Sequence, residues 1–114
     1  MPVAIKRVYA PPAPTDGTRL LVDRLWPRGL SKADAQVDLW MKDVAPSDAL
    51  RKWFHHDPAH WDEFARRYRA ELEDKGALLD EIRALAAKGP VTLVYGARDE
   101  SNNQAVILAG LLNR

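Results

Sequence analysis

The sequence predicts an α/β fold, a small and mostly parallel sheet covered by helices, forming one layered domain over residues 1–114. Three observations predict it. Runs rich in β-branched and aromatic residues at 3–9, 19–25 and 91–95 read as strands. Stripes of apolar residues at spacings of three and four between them read as amphipathic helices. Strands alternating with helices call for a sheet layered with helices rather than a sandwich or a bundle.

The elements follow in chain order. Residues 3–9 (VAIKRVY) form the first predicted strand, and PPAPTDGT after it is a loop, marked by three prolines and the Asp16-Gly17 turn signal. Residues 19–25 (RLLVDRL) read as the most buried strand, closed by Pro27 and Gly29. Ser31 is placed to cap a short helical turn reaching Asp34. Residues 37–44 (VDLWMKDV) alternate well enough for a third strand. Ser47 is the expected N-cap of a short helix with Leu50, Trp53 and Phe54 on one side. Asp57-Pro58 opens the next, a carboxylate cap followed by proline where its missing N–H costs nothing. Its stripe is Trp61, Phe64, Tyr68 and Leu72. Gly76 is expected to bend or break it, with Leu79, Ile82 and Leu85 continuing as a second helix to Gly89-Pro90. VTLVY (91–95) reads as a central, parallel strand. Ser101 and Gln104 form an expected capping box for a last helix carrying Val106, Leu108 and Leu112.

Composition narrows the function classes. The chain has 114 residues, no cysteine, and 17 Lys+Arg against 16 Asp+Glu, for a formal charge of +1. A domain of this size buries enough surface to fold without staples. Without cysteine there is no disulfide, thiolate metal site or cysteine nucleophile. The N-terminus shows no signal-peptide pattern, and no apolar run approaches the ~20 residues of a membrane helix. The expected location is therefore the cytoplasm, with no membrane partner. Near-neutral charge argues against a dedicated nucleic-acid binder. Residues 1–34 nevertheless carry six basic groups against three acidic ones, so a local anion site is expected and a nucleic-acid partner stays open. No cofactor, oligomeric state or reaction is legible.

Three clusters carry potential chemistry. In the first, Asp23-Arg24-Leu25-Trp26-Pro27-Arg28-Gly29, charges inside a buried strand must be matched or used. Neighbours on a strand face opposite sides, so Asp23 and Arg24 need partners other than each other. If the chain stays extended, Arg24, Trp26 and Arg28 share a side, where two guanidiniums flanking an indole suit an anion attached to a flat ring. The competing reading is a structural ion pair with Trp26 plugging the core. The second cluster, Tyr95 to Asn103, joins a buried strand to a helix start, the place where open α/β sheets bind ligands and where backbone N–H groups favour anions. Tyr95 is a candidate stacking surface, Asn102 and Asn103 candidate ligand contacts, and Asp99, like Asp23, a candidate base or water-orienting group; helix capping is the plainer account of this stretch. The third is His55-His56-Asp57-Pro58 with His60. Its spacing lacks the HExxH pattern and straddles a helix start, so capping is preferred to metal binding, and His56 is kept as a candidate general base. No GxSxG elbow supports a nucleophilic serine.

The stretches LVDRLWPRGLSK, WMKDVAPSxxLRKWFHHDP, FxxRYxxEL and VTLVYGARDESNNQAVIL together resemble the YeaO-like branch of the domain-of-unknown-function 488 (DUF488) family, over roughly residues 3–112. The resemblance implies a compact bacterial or archaeal α/β domain and brings no reaction with it. Among its motif positions are Asp23, Arg24, Trp26, Arg28, His56, Tyr95, Asp99 and Asn103. It also implies that larger relatives carry a cysteine-bearing motif after the strand equivalent to 91–95. This chain has none, which removes the basis for thiolate chemistry. The two functional expectations are a domain binding or processing a small phosphorylated or nucleotide-like ligand, and a non-catalytic regulatory or nucleic-acid interaction module.

Overall fold

A computed structural model describes residues 2–55 and 57–114. Four strands, β1 (Val3–Arg7), β2 (Thr18–Leu21), β3 (Leu39–Trp40) and β4 (Val91–Tyr95), form one sheet in the order β1-β4-β2-β3. All three pairings are parallel, so every strand ends at the same edge. β4 is the expected central parallel strand, aligning Val91 with Val3 on one side and Thr18 on the other. It is buried along its full length, as a strand covered on both faces must be.

The period-two alternation of strands divides the core into two layers. Leu20, Val22, Leu93 and Tyr95 face the larger layer. There they meet α2 (Asp48–Phe54), α3 (Trp61–Leu72), α4 (Gly76–Lys88) and α5 (Gln104–Leu112) through Phe54, Phe64, Tyr68, Ile82 and Leu108. Leu21, Val94 and Val8 face a thinner layer, closed by Ala35 of the four-residue α1 (Lys32–Ala35) and by Trp26, Leu30 and Val37. The α/β fold is as the sequence predicts. No helix among the described residues is long and apolar enough to cross a membrane.

Several boundaries differ from expectation, each for a local reason. The second strand stops at Leu21 instead of residue 25. Val22 still donates to the Val94 carbonyl, but the Asp23 carboxyl accepts from the Gly96 N–H and turns the chain out of the sheet. The strand expected at 37–44 shrinks to Leu39–Trp40, because Lys42–Val44 coil into a 3₁₀ turn. Tyr68, fully buried, donates its hydroxyl to the Val44 carbonyl at 2.6 Å and pins that turn to α3. The helix break comes at a 3₁₀ turn over Glu73–Lys75, and Gly76 is the first residue of α4 rather than the breaking point. Ser31 and Ser47 cap as expected, accepting from the N–H groups of Asp34 and Leu50, whereas Asp57 accepts from the Ala59 N–H to cap a 3₁₀ turn over Pro58–His60 that leads into α3. Ser101 does not: Asn103 is the N-cap of α5.

A charged network anchors the other end of β2. Arg19, 3 % exposed, pairs with Asp16 at 2.6 Å and donates its remaining N–H groups to the Ala35 and Gln36 carbonyls. Lys6 reaches the same carboxylate at 3.1 Å, and the Ala13 N–H donates to it at 3.0 Å. Burial works against the Asp16 charge, but these donors and cations outweigh it and hold the carboxyl below its ordinary value of 3.8.

Candidate functional site

Because all four strands run the same way, the segments leaving β1, β2, β3 and β4 gather at one edge. They enclose a hollow of about 490 Å³, a size suited to a small molecule. Tyr9 follows β1; Asp23, Arg24, Leu25, Trp26, Pro27 and Arg28 follow β2; Pro46 lies beyond β3; Gly96 and Ala97 follow β4. Arg51 and Phe54 of α2, Phe64 of α3 and Gln104 of α5 complete the lining. This is the crevice outside the strand carboxyl ends where open α/β sheets accept ligands.

The sequence-predicted residues divide between the hollow and its surroundings. Asp23, Arg24, Trp26 and Arg28 all line it, although the chain is no longer a strand there. Asp23 accepts from the Gly96 N–H at 2.8 Å and from Gln104 Nε2 at 2.5 Å. A Cβ at Gly96 would stand 2.8 Å from Asp23 Oδ2 and push the carboxylate aside. Burial lifts the Asp23 carboxyl to about 6, opposed only in part by those two hydrogen bonds and by the charge of Arg51. Arg24 spends its guanidinium on the carbonyls of Pro46 and Ala45, both at 3.0 Å. It contributes charge to the wall while fixing the turn before α2. Trp26 donates its indole N–H to the Leu30 carbonyl and meets Trp40 edge-on at 5.5 Å. The Arg28 guanidinium is exposed and makes no polar contact among the described residues, while its carbonyl accepts from the Tyr9 hydroxyl.

Tyr95, Asp99, Asn102 and Asn103 lie behind this wall and are not part of the lining. Tyr95 is 2 % exposed, and its hydroxyl bonds the Asn103 side chain. Burial first, then the nearby Glu100, pushes that hydroxyl above its ordinary range. Asp99 Oδ1 accepts from the Ser101 and Asn102 N–H groups, and its Oδ2 accepts from Asn102 Nδ2, folding the loop on itself. Asn103, buried, caps α5 by accepting from the Ala105 and Val106 N–H groups and ties back to the Asp99 carbonyl. Asn103→Ala should lower unfolding stability by about 2 kcal/mol, the upper range for losing a cap. Urea unfolding midpoints measure it. His56 lies outside the described residues. Among those described, no group of three His, Cys, Asp or Glu side chains is arranged to hold a metal.

Three contributors were missed from sequence. Tyr9 ends the first predicted strand and looked like any strand aromatic. Gln104 reads in the sequence as part of a capping box, but it donates to Asp23 and the Val22 carbonyl instead. Arg51 sits on the polar side of a short helix, where no spacing signals a role. Its Nη2 meets Asp48 at 3.2 Å, whereas its Nε is buried and has no hydrogen-bond partner among the described residues.

Comparison with known proteins places the chain. The family described as the inactive DUF488-N3 subclade matches residues 2–114. An uncharacterized protein of Mycobacterium tuberculosis H37Rv is 50% identical over 111 residues, covering 97% of this chain and 93% of its own. The Escherichia coli K12 protein YeaO, also described as uncharacterized, is 44% identical over 115 residues, covering 98% of this chain and 97% of its own. No solved structure matches. With the family matched over residues 2–114 and YeaO 44% identical over 98% of this chain, the chain belongs to the DUF488 family, in its YeaO-like branch.

Proposed function

We propose that this domain binds a small phosphorylated or nucleotide-like molecule in the hollow at the strand carboxyl ends and holds it without turning it over. One observation carries the reading: Arg24, Trp26 and Arg28, residues with the chemistry for an anion and a flat ring, converge with Asp23 on one hollow of about 490 Å³. Arg28 is the exposed cation at the wall, and Arg24 adds fixed positive charge. Trp26 supplies an aromatic wall, and Asp23 orients polar groups of the ligand. Tyr95, Asp99, Asn102 and Asn103 act from behind by fixing the Gly96 turn and the start of α5. The family's description as inactive favours binding over catalysis, as does a chain with no cysteine nucleophile.

Thermal unfolding with adenosine monophosphate and ribose 5-phosphate tests this. Either ligand at about 100 times its Kd should add about 2.7 kcal/mol of stability. Arg28→Ala should abolish the gain without changing the unliganded Tm. Stabilisation by neither ligand, or stabilisation unaffected in Arg28→Ala, overturns the reading. DNA or RNA binding that collapses steeply with salt would favour the nucleic-acid module instead.

A further inference from the structure

We propose that Arg51 and Asp23 form a two-donor seat for a fully ionised oxyanion, which enters the hollow together with one proton taken up by the Asp23 carboxylate. The inference rests on the reading of the hollow as an anion site and names the groups that hold the anion.

The argument begins with an unfilled donor. Arg51 lines the hollow with a side chain 39 % exposed overall, its Nη2 meets Asp48, and its Nε atom is buried with no hydrogen-bond partner among the described residues. A donor on a cationic group left in that condition is costly and calls for an acceptor. Asp23, lining the same hollow, does not supply one. Both of its oxygens are claimed, Oδ2 by the Gly96 N–H and Oδ1 by Gln104 Nε2, and no ion pair joins it to Arg51 among the described residues. An oxyanion between the two would accept from Arg51 Nε in a charge-assisted hydrogen bond.

The same oxyanion would be repelled by an ionised Asp23. With its carboxyl protonated, Asp23 keeps both existing acceptor contacts and gains an O–H that can donate to the anion. The balance is one solvent proton bound by the carboxylate for each dianion seated, with no bond broken in the ligand. The surroundings isolate this proton. Arg24 and Arg28 from its own segment and Arg51 from α2 line the same hollow. From α3, the Tyr68 hydroxyl donates to the Val44 carbonyl and is pushed well above its ordinary value of 10 by burial, and Glu71 accepts from the Ser47 hydroxyl and N–H. From α5 and the end of β4 come only neutral groups, Gln104 and Gly96. Asp23 is the one carboxyl in the lining, and burial has already raised it to about 6.

Sulfate is the probe, because it stays fully ionised across neutral pH and any proton uptake belongs to the protein. Calorimetric titration at constant ionic strength should give an association constant that is level below about pH 6 and falls about tenfold per pH unit above it. Asp23→Asn, which presents a permanent N–H in place of the O–H, should bind sulfate with no pH dependence over the same range. Arg51→Lys keeps the charge but removes Nε, and should weaken binding about tenfold at every pH while preserving the slope. A level profile in the unmodified protein, a slope surviving in Asp23→Asn, or full affinity in Arg51→Lys overturns the proposal. Any of these with Arg28-dependent nucleotide binding intact would leave the proposed function standing. Absence of sulfate binding at every pH overturns the seat, and the anion site falls with it if the phosphorylated ligands also fail to bind.

Discussion

Asp16→Ala should cost this domain about 3–5 kcal/mol, the range for removing one partner of a buried ion pair. The loss lies less in the missing attraction than in what stays behind. Arg19 is held at 3 % exposure by the Ala35 and Gln36 carbonyls and cannot follow its charge out to water. Lys6 loses its carboxylate and the Ala13 N–H its acceptor. Equilibrium urea unfolding at neutral pH measures the effect. A loss below about 1 kcal/mol would mean that the pair is solvated and that β2 does not depend on it. The pH dependence has a definite sign. The folded-state carboxyl lies below its unfolded value of 3.8, so its stabilisation is complete above that value and is lost as pH falls through the lower folded value.

Asp23→Asn should act in the opposite direction and in a separate pH window. Burial raises the Asp23 carboxyl from 3.8 to about 6, so its favourable contribution is complete below 3.8 and is lost as pH rises through about 6. Across that shift the unmodified protein should surrender about 3 kcal/mol. The asparagine variant should not. Its amide can keep the Gly96 N–H as donor and turn Gln104 to accept, at the expense of the weak 3.4 Å contact from Gln104 to the Val22 carbonyl. Urea unfolding at pH 3.5 and pH 8 should show the variant gaining on the unmodified protein almost entirely at the higher pH. Parallel pH profiles for the two proteins would show that Asp23 is solvated and its carboxyl unshifted. A carboxylate so unfavourable at neutral pH is a stability cost located in the hollow proposed above as the ligand site.

The two carboxylates show what was legible in the sequence and what was not. Asp16 was visible only as half of a turn signal with Gly17, because nothing local reveals that Lys6 and Arg19 close around it from two strands. Asp23 stood out as a charge in an apolar run, and that oddity led to the hollow even though the run is not a strand at that point. The strands at β1, β2 and β4 were readable because short β-branched and aromatic runs between turn residues have few alternatives. Strand ends were not, since they depend on distant contacts such as Gly96 to Asp23 and Tyr68 to Val44. Helix caps were mostly readable from single residues. The exception, Ser101 in place of Asn103, arose because Asp99 draws the Ser101 N–H into its own loop and delays the helix by two positions. Arg51 carries no signal at all: its place follows from facing a space whose other walls lie on six other segments of the chain.

The strand order also determines when this protein can acquire its shape during synthesis. β1 and β2 do not touch each other, because β4 lies between them and pairs with both. A growing chain released only as far as Gly89 would hold the short β2–β3 pair and an unattached β1, a sheet split in two without its central strand. The arrival of Val91–Tyr95 joins β1 to the rest of the sheet, so assembly must wait until that strand has left the ribosome. Such late closure, dominated by partners far apart along the chain, is the topology associated with slower folding.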